Sequence, residues 1–319
     1  MPGFTTHYLF GVDACRRLTS TAMHDKIRRD HSAFALGLQG PDLFFYYLPS
    51  YVMHRENIGA LAHHKDTGKF FANLLKSRTL FAKKKRSLAI ADAYICGFMG
   101  HYTLDCMIHP YVYAFTGYNA KQPPSNAEYF GQHAYFETEI DSELLFLKKH
   151  LYPSQFHQNA TIHLSPRQRK VIVRMLSYAY RNTYPNVASS EVLLAGAPLW
   201  MKLGTRLLND PSGQKKALSR LIEKVLLGRA FLSPMVASDY YRFIQDPLNL
   251  SHRTWVHPWT KKPSRASFPE LYEKAEKLYQ KRLTGYAHLL RCGFPENETA
   301  RFVAAYGNLS FLSGLPCDS

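Results

Sequence analysis

The sequence lacks the marks of several protein classes. Its five cysteines, at positions 15, 96, 106, 292 and 317, are odd in number and never closely paired, which argues against a disulfide framework and against a cysteine-based zinc site. Cys96 and Cys106 read as small core residues of an apolar segment. The longest apolar runs, Leu88–Gly100 (interrupted by Asp92) and Val192–Met201, are too short to span a bilayer. The opening MPGFTTHYLFG has no basic n-region, apolar h-region or small-residue cleavage site, so the sequence predicts a cytoplasmic chain. There is no low-complexity tract, no repeat of fixed period and no convincing run of alternating strand residues.

What is present is globular. A chain of 319 residues, 46% hydrophobic and rich in Tyr (21) and Phe (20), can bury a sizeable core in one large or two smaller domains. The net charge of +16 is unevenly spread: residues 1–150 hold 17 basic and 13 acidic side chains, residues 151–319 hold 23 and 11. That excess suits phosphate-bearing partners, nucleic acid or an anionic membrane face, and equally suits a protein that merely has a high pI. The run Lys83-Lys84-Lys85-Arg86 reads as a solvated connection between helices.

Helical spacing of apolar residues covers 5–19, 57–78, 87–109 and 127–150, then stretches near 166–182, 189–208, 214–228, 235–245, 268–291 and 296–312. Thr5 or Thr6 is available to cap the first, and Pro110 is expected to stop the third. The predicted fold is all-α, with a soft boundary at 151–165. Residues 1–150 form the expected core, and 151–319 a helical C-terminal region packed on it as one unit.

The strongest chemical signal is His101-Tyr-Thr-Leu-Asp105-Cys-Met-Ile-His109. Its two imidazoles and carboxylate recur every four residues, on one face of an otherwise apolar helix. Burying them is costly unless they pair with one another or bind metal, and both alternatives stand on this motif alone. His133-x-x-x-Glu137 supplies a second pair of nitrogen and oxygen donors of the kind zinc accepts, with Asp141 on the same face as a possible support for a ligand His. Earlier candidates are His7, Asp42 after the Gln39-Gly40-Pro41 turn, and the adjacent His63 and His64, of which helical geometry lets one face a common site.

This order of residues resembles the zinc-dependent phospholipase C family, which is related in fold to single-strand nucleases. The resemblance covers roughly residues 1–150 and implies an all-α bundle holding two or three Zn2+ ions in a cleft, here with additional C-terminal helices. Carried over, it implies that His101, Asp105, Asp42 and one of His63 and His64 hold one zinc. His63 is preferred for its H-x-x-x-T-G context. By the same resemblance His109, His133 and Glu137 hold a second, more open zinc, and His7 joins a bridging Asp105 on a third. Secreted members add the amine of an N-terminal Trp, whereas this chain begins Met1-Pro2, and loss of Met1 would leave an amine five residues before His7. The four-residue gap from Asp105 to His109 is shorter than in the secreted enzymes and reads as a subfamily trait.

The implied activity is hydrolysis of an anionic phosphodiester, a phospholipid or related compound, by metal-activated water, with Asp42 as the candidate base and a peripheral membrane contact as the candidate setting. The alternatives are a nuclease-like phosphodiesterase, with nucleic acid the weaker substrate reading, and a non-catalytic, metal-stabilised binding protein. Tyr46, Tyr47, Tyr111, Tyr113, Phe115 and Tyr118 divide between core and a pocket for a choline-like cation or a base. The His- and Trp-rich segment 249–259 reads as a lid, an anion contact or a packed loop.

Overall fold

The protein is described from a computed structural model covering residues 3–18, 20–54, 56–121, 126–226, 228, 233–240 and 244–317. It is all-α. The first half contains α1 (Phe4–Arg16), α2 (Thr21–Arg29), α3 (His31–Gly37), α4 (Leu48–Met53), α5 (Ile58–His64), α6 (Thr67–Lys76), α7 (Lys85–Phe115) and α8 (Asn126–Lys149). The second contains α9 (Gln158–Thr161), α10 (Pro166–Thr183), α11 (Glu191–Leu194), α12 (Ala197–Leu207), α13 (Gln214–Leu226), α14 (Phe268–Cys292) and α15 (Glu296–Tyr306). Among the described residues, strand pairing is confined to Asn209–Asp210 with Ala237–Ser238, Trp255–Val256 with Pro263–Ser264 and a single bridge between Leu309 and Pro316, and no helix is long and apolar enough to cross a membrane.

α7 is the axis of the molecule because its sequence is apolar on every side, and α1, α3, α10 and α14 pack around it. The crossing with α3 is close: a Cβ on Gly97 would lie 2.1 Å from the Phe34 carbonyl oxygen, and one on Gly37 would lie 2.2 Å from that of Tyr94. The single acid in the first half of α7, Asp92, is buried but fully engaged, by Lys26 and Arg78 at 2.7 Å each and the Tyr286 hydroxyl at 2.9 Å. Burial thus comes with partners, as it must for a charge in this setting.

Several expected boundaries move. Pro110 does not end α7, which continues to Phe115. Proline removes one donor, and the Cys106 carbonyl that would have received it is packed by Gly314 of the C-terminal segment. The stretch 57–78 breaks into α5 and α6 at Asp66, whose φ of +49° no helix can contain. The expected helix at 235–245 is absent where described: 233–238 is a short turn and a strand, and residues 241–243 lie outside the described set. Lys85 and Arg86 begin α7, and Arg86 pairs with buried Asp30, so the basic run is not simply solvated. α10 and α14, by contrast, start where sequence signals place them, each with a capping box, Ser165 with Gln168 and Ser267 with Glu270.

The cap of α1 comes from far along the chain. Asp141 on α8 accepts the backbone N–H groups of Thr5 and Thr6, both at 2.9 Å, and so does what Thr5 or Thr6 was expected to do. This corrects the expectation that Asp141 supports a ligand imidazole. Burial pushes its carboxyl up to about 6 against those donors, and its effect on the site is to fix the helix that carries His7.

Candidate metal centre

Five elements bring their polar side chains to one buried place: α1 (His7), the turn Gly40–Phe44 (Asp42), α5 (His63), α7 (His101, Asp105, His109) and α8 (His133, Glu137). His7, His101, Asp105 and His109 are wholly buried, and His63 and Asp42 nearly so. His133 and Glu137 keep 13 and 10% of their side-chain surface exposed, which makes them the open end of the row.

Three imidazoles are oriented from behind by backbone carbonyls. His101 Nδ1 is 3.1 Å from Leu38 O, His63 Nδ1 is 2.6 Å from Gly59 O, and His109 Nδ1 is 2.6 Å from Phe311 O. A carbonyl can only accept, so each Nδ1 carries a hydrogen and each Nε2 is turned inward, a lone pair whenever the ring is neutral. His133 Nδ1 lies 3.3 Å from the Tyr129 hydroxyl, itself 2.6 Å from Thr116 Oγ1.

The inward atoms crowd together. Asp105 Oδ1 is 3.1 Å from His7 Nε2, and Asp105 Oδ2 is 3.1 Å from His101 Nε2 and 3.6 Å from His63 Nε2. Asp42 Oδ1 is 3.1 Å from His63 Nε2 and 3.7 Å from His101 Nε2. Glu137 Oε1 is 2.8 Å from His133 Nε2 and 3.9 Å from His109 Nε2. Three sets of donors each converge within 4.8 Å: His7–His101–Asp105, Asp42–His63–His101 and His109–His133–Glu137.

Proximity leaves several of these atoms without a hydrogen-bond partner. Both nitrogens of His7, Asp42 Oδ1, both oxygens of Asp105 and His109 Nε2 are buried with no hydrogen-bond partner. A satisfied polar network would aim donors at acceptors, and orphaned buried groups of this kind cost roughly 1–3 kcal/mol each. Here the lone pairs aim at shared points between residues, which is what a cation requires. The donor set, imidazole nitrogens with carboxylate oxygens, is one that zinc accepts, and so the residues fit the ion.

Electrostatics agree with that fit. Burial lowers the affinity of His7 for protons and takes His109 and His133 well below the usual histidine range, leaving neutral imidazoles. Burial would raise the Asp105 carboxyl, but His101, His109 and His7 around it outweigh this and hold it well below the usual range. His63 is the exception: burial lowers it, yet the nearby Asp105 and Asp42 carboxylates prevail and carry it to about 9.

Of the paired candidates, His63 turns inward. His64 is 41% exposed, 3.6 Å from Glu56, and takes no part in the cluster. Met1 and Pro2, where a terminal amine was expected, lie outside the described residues. Gly40 has φ +49°, and a Cβ there would sit 2.3 Å from His101 Cδ2. Gly40→Ala is therefore expected to cost about 1–3 kcal/mol, read by denaturant unfolding, and to displace His101.

Sequence reasoning missed the C-terminal contribution. Residues 307–317 fold back across α7: the Phe311 N–H donates to His63 O at 2.8 Å while its carbonyl holds His109, and its ring lies 4.9 Å from that of His63. Backbone groups leave no signal in side-chain pattern. The aromatic candidates divide. Tyr111 and Phe115 pack inward on Phe136, and Tyr46 and Tyr47 pack toward α12 and Trp200. Tyr113 and Tyr129 stand beside His133, with Tyr118 packed on both of them and Trp259 at 5.2 Å from Tyr113 and 5.3 Å from Tyr118. Within the 249–259 segment, Trp255 is a core residue on a short hairpin, whereas Trp259 reaches the aromatic wall.

A helical bundle with two imidazoles and a carboxylate in turn-by-turn succession on its central helix, faced by further His and acid residues, defines a helical protein whose buried side chains could hold a metal ion. Residues 6–187 match the family described as zinc dependent phospholipase C, and the chain belongs to that family. No curated protein and no solved structure matches it.

Proposed function

We propose that the protein is a zinc-dependent phosphodiester hydrolase acting on a phospholipid, with two or three zinc ions held by His7, Asp42, His63, His101, Asp105, His109, His133 and Glu137. The observation that carries this reading is the set of buried lone pairs on His7, Asp42, Asp105 and His109 that converge without hydrogen-bonding to one another. Membership of the zinc-dependent family supports it.

Bound zinc supplies a Lewis acid for the phosphoryl oxygens and a water acidic enough to ionise near neutral pH. The chain's own residues do the rest. Asp105 shares its two oxygens between the His7 and the His101–His63 sides and keeps its charge because three imidazoles surround it. Asp42 would hold the ion through one carboxylate oxygen, and its other oxygen would serve as the base that accepts a proton from the attacking water. His133 and Glu137, the most exposed members, mark the side by which substrate enters. The rings of Tyr113, Tyr118, Tyr129 and Trp259 beside them suit a quaternary ammonium head group. Residues 151–319 would belong to the same unit, since Phe311 completes the site.

The zinc-loaded chain should hydrolyse phosphatidylcholine in preference to single-stranded DNA. Preference for DNA would assign the site to nuclease-type chemistry. No turnover of either substrate, nor of an activated phosphodiester, would leave a metal-stabilised binding protein.

Zinc binding should also release a proton. In the metal-free site His63 is protonated below about 9, and a ligand must be neutral. Zinc affinity is therefore expected to climb about tenfold per pH unit as pH rises from 7 toward 9, then level off. Calorimetry in buffers of different ionisation enthalpy reads that proton directly, and its loss in His63→Ala would assign it.

A further inference from the structure

α13 is inside out. Its apolar residues Leu218, Leu221, Ile222, Val225 and Leu226 recur at helical spacing on one stripe, and every one faces solvent, Val225 and Leu226 with 73 and 74% of their surface. The residues it buries are Lys216 and Glu223. The protein holds this polar side firmly: Glu223 accepts from the Ser233 N–H and hydroxyl at 3.0 and 2.6 Å, and Lys216 Nζ lies 5.0 Å over the Tyr135 ring. A helix of this pattern ordinarily buries its apolar stripe. The preceding helix repeats the feature, with Leu199, Leu203 and Leu207 one turn apart and each at least half exposed.

Charge selects what covers this face. Between residues 197 and 226 the acids are Asp210 and Glu223, and both are buried. Asp210 caps α13 by accepting from the Lys215 and Lys216 N–H groups at 3.2 and 2.9 Å. The exposed charges are all basic: Arg206, Lys215, Arg220 and Lys224. A second copy meeting this face with its own would set basic residues against basic residues. A surface that is apolar within and anionic at its rim is complementary, and that is the interface of an anionic bilayer.

We propose that α12 and α13 form a membrane-docking face, lying in the plane of an anionic bilayer with the Leu and Val stripe below the head groups and the Arg and Lys side chains on the lipid phosphates. The choice of lipid as partner rests on the phospholipid reading of the site, but docking itself does not require turnover.

The test is co-sedimentation of the zinc-loaded full chain with vesicles of phosphatidylcholine alone and of phosphatidylcholine mixed with phosphatidylglycerol. The chain should bind the mixed vesicles more tightly, and less so as salt rises. The double variant Leu221→Ser/Val225→Ser should lower partitioning about tenfold or more, and Arg206→Gln/Lys224→Gln about fivefold per charge. Both pairs are on the surface, so their unfolding transitions should match the wild type, and either pair alone keeps the test decisive if the other misfolds. Hydrolysis of a water-soluble phosphodiester should be unchanged in both. Failure of that hydrolysis in the wild type, with vesicle binding intact, would count against the catalytic reading and leave docking standing. Absence of binding to mixed vesicles would overturn docking, as would binding that both variants retain. A concentration-dependent dimer abolished by Leu221→Ser/Val225→Ser would assign the face to a second copy instead.

Discussion

Asp105→Ala will remove more than one zinc per chain and reduce phosphodiester hydrolysis at least about a thousandfold. The expectation follows from where the carboxylate stands. Its two oxygens are each 3.1 Å from a different imidazole, on His7 and His101, and Oδ2 is also 3.6 Å from His63. No other acid described in the site lies this close to three imidazoles, so no other single deletion reaches as many proposed ligands. Glu137→Ala, at the open end, should lose at most one ion, since Glu137 converges with His109 and His133 in one donor set. His64→Ala should lose none. Metal analysis of the purified variants checks all three, and an unchanged zinc count in Asp105→Ala would sink the bridging role.

Stripping zinc with a chelator will lower the unfolding temperature by more than about 10 °C, and restoring zinc will recover it. Each ion present at a thousandfold excess over its dissociation constant stabilises the fold by about 4 kcal/mol, and each kcal/mol moves the transition by roughly 2 °C in a chain somewhat above 250 residues. The metal-free site carries the opposite burden. Its buried lone pairs on His7, Asp42, Asp105 and His109 find no hydrogen-bond partner within the chain, a cost that folding must absorb. Scanning calorimetry with and without chelator is the measurement, and it needs no substrate. A transition that ignores the chelator would mean that the donors are not metal ligands.

The site was legible where its residues share one helix. His101, Asp105 and His109 follow the four-residue step that keeps side chains on one face of a helix, and His133 and Glu137 follow it on another. The adjacent pair was not resolved that way. His63 and His64 are equally polar in sequence, and the path of α5 alone turns one inward toward Asp42 and the other toward Glu56. Asp141 shows the same limit from the other side. It lies on the same face of α8 as His133 and Glu137 but is spent on the first turn of α1, because the residue before that helix is Gly3, which has no side chain to cap it.

The sequence by itself determined that the chain is helical, that the helix read over 87–109 would be mostly buried and that one face of it would gather imidazoles and a carboxylate in need of a partner, because these follow from periodicity and from the cost of burying charge. It misplaced the end of that helix, since Pro110 forbids one hydrogen bond and not the packing that carries the backbone past it. The tertiary structure alone decided which distant pieces meet there. Asp42 comes from a turn, His7 from a helix fixed by Asp141, and the Phe311 carbonyl from beyond the half of the chain in which the site was sought. Such meetings depend on long-range closure of the chain, and no local pattern records them. The same holds for α13: its sequence shows an apolar stripe, and only the fold reveals that the stripe faces outward.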